Sequence, residues 1–335
     1  MQRWINEIAR VYTGEPRQVG AGFSSPELPY LKIHPIFIKI SHRVTKVPCM
    51  PTPKITRRRL FTLLAGSTLC AGASLTNAYL IEPDWLSLTE NEIPLPNLPA
   101  SLDGLRVVHL ADFHFRPDDD DVLITEMVKR VNELDPDLIV LTGDYITSNP
   151  VVIPPLLGHL AKLRAKHGVI AIMGNHDGWK MEGHELKRSF EKVGITFLIN
   201  ENTRLNIQGD TLAIAGLDFI WLGHPDADRA FRGIATKTPT LALVHEPDYF
   251  DYLNREKNFL IQLSGHTHGG QCRVPLIGYA PIEVRYGEKY IYGIYDSNQS
   301  GDAKIHVTRG IGTTGIRVRF ACRPEIALLT LRSIA

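Results

Sequence analysis

Cysteine is scarce in this chain: Cys49, Cys70, Cys272 and Cys322 are the only four in 335 residues, and no two of them form a C-x-x-C pair. That excludes a structural zinc site built on thiolates and a small scaffold held together by disulfides. Cys272 and Cys322 lie in the body of the chain, where export would permit them to pair and two free thiols are an equally good reading. Internal repeats and low-complexity tracts are absent, which excludes a solenoid. Long uncharged runs are nearly absent as well. There is one, Leu60 to Ile81, so the chain is not a polytopic membrane protein. Net charge is small, +1, but it is unevenly spread. Residues 1 to 60 carry eleven Lys/Arg against Glu7, Glu15 and Glu27, a local charge of +8 that leaves −7 for the rest. An acidic body argues against nucleic acid as a partner. With 44% hydrophobic and 22% charged residues, the chain has enough apolar material for a sizeable core and is not a disordered polymer.

The first eighty residues read as an address or an anchor. Residues 1–53 form a basic N-terminal extension without the pattern of a folded domain, and Met50 offers an alternative start immediately before the signal-like segment. Residues 54–81 contain Thr56-Arg57-Arg58-Arg59-Leu60-Phe61 followed by a moderately apolar run. This fits a twin-arginine export signal, and it equally fits a single transmembrane anchor with its positive residues on the cytoplasmic side. A chain built this way is membrane-associated, anchored in the inner membrane or exported by the twin-arginine route. Residues 82–103, with Pro83, Pro94, Pro96 and Pro99, read as a Pro-rich tether that ends as an edge strand.

From Leu105 onward, short β-branched runs alternate with helical stripes. Strands are expected at 105–110, 137–141 and 169–173, with helices over Val122–Leu134 and Pro155–Lys166 between them, a βαβαβ order. The second half is richer in strand, at 211–215, 240–244, 259–263, 304–307 and 326–331. The acidic run Asp118 to Asp121 reads as the capped, dipole-complementing start of the first helix rather than as a cation site.

Polar clusters follow five of these runs directly: Asp112-Phe113-His114, Gly143-Asp144, Gly174-Asn175-His176-Asp177, His245 and Gly265-His266-Thr267-His268. A single one of them would be a turn or a helix cap. A sheet, however, delivers the carboxyl ends of its strands to one rim, so all five meet there. Asp112, His114, Asp144, Asn175, His245, His266 and His268 offer imidazole, carboxylate and amide oxygen without thiolate, a set that suits Mn, Fe or Zn. Seven groups exceed what one ion with an open position uses, and two divalent ions sharing a carboxylate fit better.

This order of motifs resembles the calcineurin-like metallophosphoesterase superfamily over residues 104–332. The Gly-His-Thr-His-Gly-Gly-Gln form at 265–271 is similar to its YkuE/YaeI-like bacterial membrane-associated phosphodiesterase branch, as are Thr308-Arg309-Gly310-Ile311-Gly312, Arg319 and Arg323-Pro324-Glu325-Ile326. The resemblance implies an α/β fold, a four-layer α/β/β/α sandwich. It implies that Asp112, His114, Asp144 and His268 hold one ion and that Asp144, Asn175, His245 and His266 hold the other, with Asp144 bridging. Attack on phosphorus by a metal-bound hydroxide follows from it, with His176 as the catalytic group at the leaving oxygen and Asp177 in support of the loop. Many relatives carry a second carboxylate three residues after the bridging aspartate to orient the catalytic histidine. Here that position is Thr147. The implied substrate is a phosphate diester or pyrophosphate, and the basic head favours a lipid-linked or envelope compound. A UDP-2,3-diacylglucosamine pyrophosphatase step of lipid A synthesis is the most concrete alternative, beside a general nucleotide or glycerophosphodiester phosphodiesterase. A silent, membrane-tethered binding protein is a third reading. The segment from Arg273 to Tyr295, rich in Tyr and Lys/Arg, reads as an ordinary hairpin or as a substrate-facing or lipid-facing edge.

Overall fold

A computed structural model describes residues 56–278, 280–281, 284–297 and 302–334. The basic extension at 1–53 and Tyr279 lie outside the described residues. Among the described residues, twelve strands form two six-stranded sheets. They are β1 (Ser87–Pro96), β2 (Arg106–Leu110), β3 (Leu138–Leu141), β4 (Val169–Ile172), β5 (Thr196–Leu198), β6 (Glu201–Ile207), β7 (Asp210–Gly216), β8 (Thr240–Leu243), β9 (Ile261–Ser264), β10 (Gly293–Asp296), β11 (Lys304–Val307) and β12 (Glu325–Ile334). The first sheet runs β1-β12-β2-β3-β4-β5 and the second β10-β11-β9-β8-β7-β6. Strands β2 to β5 are parallel to one another, and so are β7, β8, β9 and β11.

Alternation along each strand builds the layers. Val107, Val140 and Ile170 point into the space between the sheets, where they meet Ile214, Leu241 and Leu263. Val108, Ile139 and Leu141 point the other way, onto helices. Because both faces are covered, β3 and β4 are apolar throughout. The helices on the first sheet include α2 (Pro117–Glu133), α3 (Ile153–Leu160) and α5 (Gly183–Glu191), and α4 (Asn175–Gly178) is a single turn at the site. In α2 the residues Leu123, Ile124, Met127 and Val131 make the buried stripe. Its acidic start is a cap: the buried Asp120 accepts from Arg116 N at 3.0 Å. On the second sheet, α6 (Ala227–Ala230) and α7 (Phe250–Glu256) pack Ala227, Ala230, Phe250 and Leu253 against Val244, Ile305 and Val307. The result is the expected α/β/β/α stack. Helix α3 is shorter than its periodicity suggested, because Asn132 draws the chain out of the helix by bonding Lys162 O and Arg164 N at 2.8 Å each.

The stretch 82–103, read as a tether ending in an edge strand, contributes structure to the body itself. Its ten-residue strand β1 pairs with β12 at the sheet edge, where proline is tolerated, and Ile93 and Leu95 are fully buried. Helix α1 (Arg57–Thr76) is capped by Thr56 and buries none of its residues. The segment Arg57–Asp84 is long and apolar enough to cross a membrane. Cys70, Cys272 and Cys322 are free thiols.

Candidate metal centre

All five polar clusters leave the carboxyl ends of parallel strands: β2, β3 and β4 in the first sheet, β8 and β9 in the second. The chain turns sharply there. Asp112, His114, Asp144, His266 and His268 have φ values of 53°, 40°, 56°, 73° and 52°. Left-handed backbone is costly for a residue with a Cβ, and such strain gathers where a site demands a particular side-chain direction. Two glycines make room for the carboxylates. A Cβ at Gly174 would collide with Asp144 Oδ1, and one at Gly310, itself left-handed, would press on Asp112.

The side chains converge in three overlapping groups, one of them His114, Asp144 and His176. Asp112, His114 and His268 bring ligand atoms within 4.8 Å of one another, and so do Asp144, His245 and His266. The Asp144 carboxylate stands between them, with Oδ2 lying 3.4 Å from His114 Nε2 and 3.2 Å from His245 Nε2. Asn175 is buried in the loop after β4.

Backbone carbonyls set the ring tautomers, because a carbonyl only accepts. His245 Nδ1 donates to Thr142 O at 2.6 Å and aims Nε2 at the carboxylates. His266 Nε2 donates to Arg285 O at 2.7 Å, which leaves Nδ1 for the cluster. His176 Nδ1 donates to Thr147 O at 3.1 Å. Thr147 Oγ1 lies 3.1 Å from His114 Nδ1. These partners are the outer support that orients ligands in metal sites. Thr142, Thr147 and Arg285 carry no mark in the sequence for these roles, since every residue has a carbonyl.

Asp177 is the third residue of α4. Its buried carboxylate accepts from the backbone N–H of Gly174, Asp144, Tyr145 and Ile146 at 2.8–3.2 Å, tying the loop after β4 to the loop after β3. His176 N donates to Asp144 Oδ1 at 2.8 Å, while its ring lies 4.8 Å from that of His114 and 4.9 Å from Trp179. Below the site, the fully buried Arg319 donates to the carbonyls of Arg309, Gly310, Gly312 and Cys322. It thereby holds the Gly310–Gly312 turn, whose Gly312 N donates to Asp112 O at 2.7 Å.

The residues fit a resident cation. Among the described residues eight buried side-chain atoms have no hydrogen-bond partner, and five of them belong here: Asp112 Oδ2, His114 Nε2, Asn175 Oδ1, His245 Nε2 and His268 Nδ1. Leaving such atoms buried and unmatched is costly, so their convergence marks a place for positive charge. The electrostatics agree. Burial pushes Asp112 up to about 7. Burial also acts to raise Asp144, but His245 and His114 outweigh it and hold this carboxyl well below the usual range. For His245 burial is outweighed by Asp144, which pushes the ring up to about 10. His266 and His268, pushed down by burial, stay neutral and available as ligands.

Residues 105–270 match the model of the calcineurin-like phosphoesterase family. The chain is 36% identical over 297 residues to the uncharacterized metallophosphoesterase YkuE of Bacillus subtilis, an alignment covering 84% of this chain and 99% of that one. It is 30% identical over 289 residues to the phosphodiesterase YaeI of Escherichia coli, covering 83% and 99%. To the UDP-2,3-diacylglucosamine pyrophosphatase LpxG of Chlamydia trachomatis it is 26% identical over 315 residues, covering 78% and 95%. A metal-binding, phosphate-ester-cleaving centre at the strand ends is what these similarities and the converging ligands share, and the chain belongs to the calcineurin-like phosphoesterase family of hydrolases.

Proposed function

We propose that the chain is a dinuclear metal-dependent phosphodiesterase or pyrophosphatase acting on a membrane- or envelope-related phosphate compound. The observation that carries this reading is the single Asp144 carboxylate between two ligand groups. Asp112, His114, Asp144 and His268 would hold one divalent ion (Mn, Fe or Zn), and Asp144, Asn175, His245 and His266 the other. Two such ions supply a nucleophile at neutral pH and neutralise the phosphate oxygens. The protein does the positioning. Thr142, Thr147 and Arg285 orient the rings of His245, His176 with His114, and His266, and Asp177 locks the Asp144 loop. His176, with Nδ1–H engaged by Thr147 O, presents Nε2 to the cleft. Protonated there, it stabilises the departing oxygen or hands it a proton.

The membrane-sized Arg57–Asp84 segment supports a substrate at a membrane, whether the segment is a retained anchor or a twin-arginine signal. Likeness to LpxG favours a UDP-2,3-diacylglucosamine-type pyrophosphate as the second reading. A general nucleotide or glycerophosphodiester phosphodiesterase remains the reading to compare with it. A silent binding protein is disfavoured, since degenerate relatives lose ligands and all seven candidate ligand residues are in place.

The test is metal content and turnover on reconstituted protein. Two ions per active chain are expected. Asp144→Asn should reduce occupancy at both sites, and His114→Ala chiefly at one. Full activity with at most one tightly bound ion would refute the dinuclear reading. Ranking bis-p-nitrophenyl phosphate, p-nitrophenyl phosphate, UDP-diacylglucosamine and lipid phosphodiesters then separates the substrate classes.

A further inference from the structure

We infer that the catalytic mouth faces the bilayer, with the turn at Val274–Ile277 and the loop around Ile316 seated in the lipid interface beside the end of the apolar helix. This rests on the membrane-associated phosphoesterase reading and adds an orientation and a route of substrate entry to it.

The joint between helix and site is short. Ala78 O, where the helical segment ends, accepts from Arg319 N at 3.0 Å, and Glu82 Oε1 accepts from Cys322 N at 2.5 Å. Cys322 Sγ in turn lies 3.2 Å from the carbonyl of His268, a candidate ligand. Glu82 is itself buried and held by Asn77 Nδ2 at 2.8 Å. The apolar segment is thus fastened to the rim of the site rather than to the far ends of the strands.

The same rim carries apolar side chains that water does not favour. Gln271 bonds the backbone of Thr314 and Ile316, and Arg273 N donates to Phe320 O at 2.8 Å, so the 271–278 turn and the 313–320 loop form one ledge beside the helix end. On it Leu276 is fully exposed, and Ile277 and Ile316 are 77% and 67% exposed. Leu276 also holds a left-handed φ of 71°, a conformation leucine avoids unless something is gained elsewhere. Next to the helix end Trp85 is half-exposed beneath the Arg323 guanidinium, an aromatic and a cation of the kind found at headgroup depth. Hydrocarbon covers such a ledge without cost, and the helix supplies the bilayer at that place. A substrate with a phosphate head and a hydrocarbon tail would reach the centre by lateral diffusion, its tail still in the membrane.

The test uses the full chain in phosphatidylcholine–phosphatidylglycerol vesicles carrying a diazirine-tagged acyl chain, irradiated and mapped by peptide mass spectrometry. Adducts are expected at 274–277 and 314–318 in addition to 57–81, with none at 236–239, at the opposite ends of the strands. Leu276→Asp with Ile277→Asp and Ile316→Asp should lower the body adducts roughly tenfold or more while leaving hydrolysis of soluble bis-p-nitrophenyl phosphate unchanged. Adducts confined to 57–81, or adducts undiminished in the triple variant, would each overturn the inference. Turnover of the soluble ester in the same vesicles reports separately on the phosphoesterase reading. Body adducts without turnover would count against that reading and leave the orientation standing.

Discussion

The carbonyl oxygen of Thr147 lies 3.1 Å from Nδ1 of His176 and accepts the hydrogen bond of its N–H. A backbone group therefore makes this contact, where the family resemblance leads one to expect an orienting carboxylate three residues after Asp144. A neutral carbonyl fixes the tautomer yet stabilises the imidazolium less than a carboxylate does. If His176 serves the leaving group, His176→Ala should keep its metal content and lose a factor of order 10²–10⁴ in turnover on alkyl esters. The deficit should shrink for p-nitrophenyl esters, whose leaving group needs little protonation. Equal losses on both ester types would favour a purely electrostatic role.

Thr147 also acts through its side chain, whose hydroxyl lies 3.1 Å from His114 Nδ1. In Thr147→Val that contact is lost while the carbonyl to His176 stays. Metal affinity should fall about 10- to 100-fold, as is usual when an outer partner of a ligand is removed, and the leaving-group trend should not change. Titration with a competing chelator measures the first and ester kinetics the second. Wild-type affinity would show that the hydroxyl does not orient His114.

Glu325 gives the fold an acid-sensitive tie. Its buried carboxylate accepts from Thr308 Oγ1 at 3.0 Å and Arg309 N at 2.9 Å, and pairs with the Arg309 guanidinium at 3.2 Å. Burial acts to raise this carboxyl, but Arg309 and His306 outweigh it and hold it below its ordinary 4.5. A depressed folded-state pKa contributes stability above the unfolded value, and that stability is lost as pH falls below about 4.5 toward the folded one. Glu325→Gln should cost about 1–3 kcal/mol at pH 7 in urea unfolding of the metal-free chain. Its stability should also fall less steeply than wild type below pH 4.5. Parallel acid limbs would remove Glu325 from the account.

Arg57→Lys with Arg58→Lys distinguishes the two membrane readings. A twin-arginine signal is read by a receptor that requires arginine, whereas an anchor needs only positive charge. Export should be abolished under the first reading and normal under the second, as followed by fractionation of tagged protein.

The candidate site is legible in the sequence because the groups that converge there are side chains. Asp112, His114, Asp144, Asn175, His245, His266 and His268 each follow an apolar run, and strands place their carboxyl ends at one rim. The βαβαβ half was readable from periodicity for the same reason. Strands β5, β6 and β10 were not, since all three lie at sheet edges, where half-exposed strands need no continuous apolar run, and the order β10-β11-β9-β8-β7-β6 depends on pairings between distant segments. Only the tertiary structure decided which nitrogen each histidine turns to the centre. Those choices are made by the carbonyls of Thr142, Thr147 and Arg285, and a carbonyl is present at every position of any chain. It decided as well that the apolar helix ends against the His268 loop, because the Arg319–Ala78 and Cys322–Glu82 bonds join residues some 240 positions apart and local pattern says nothing about such pairs.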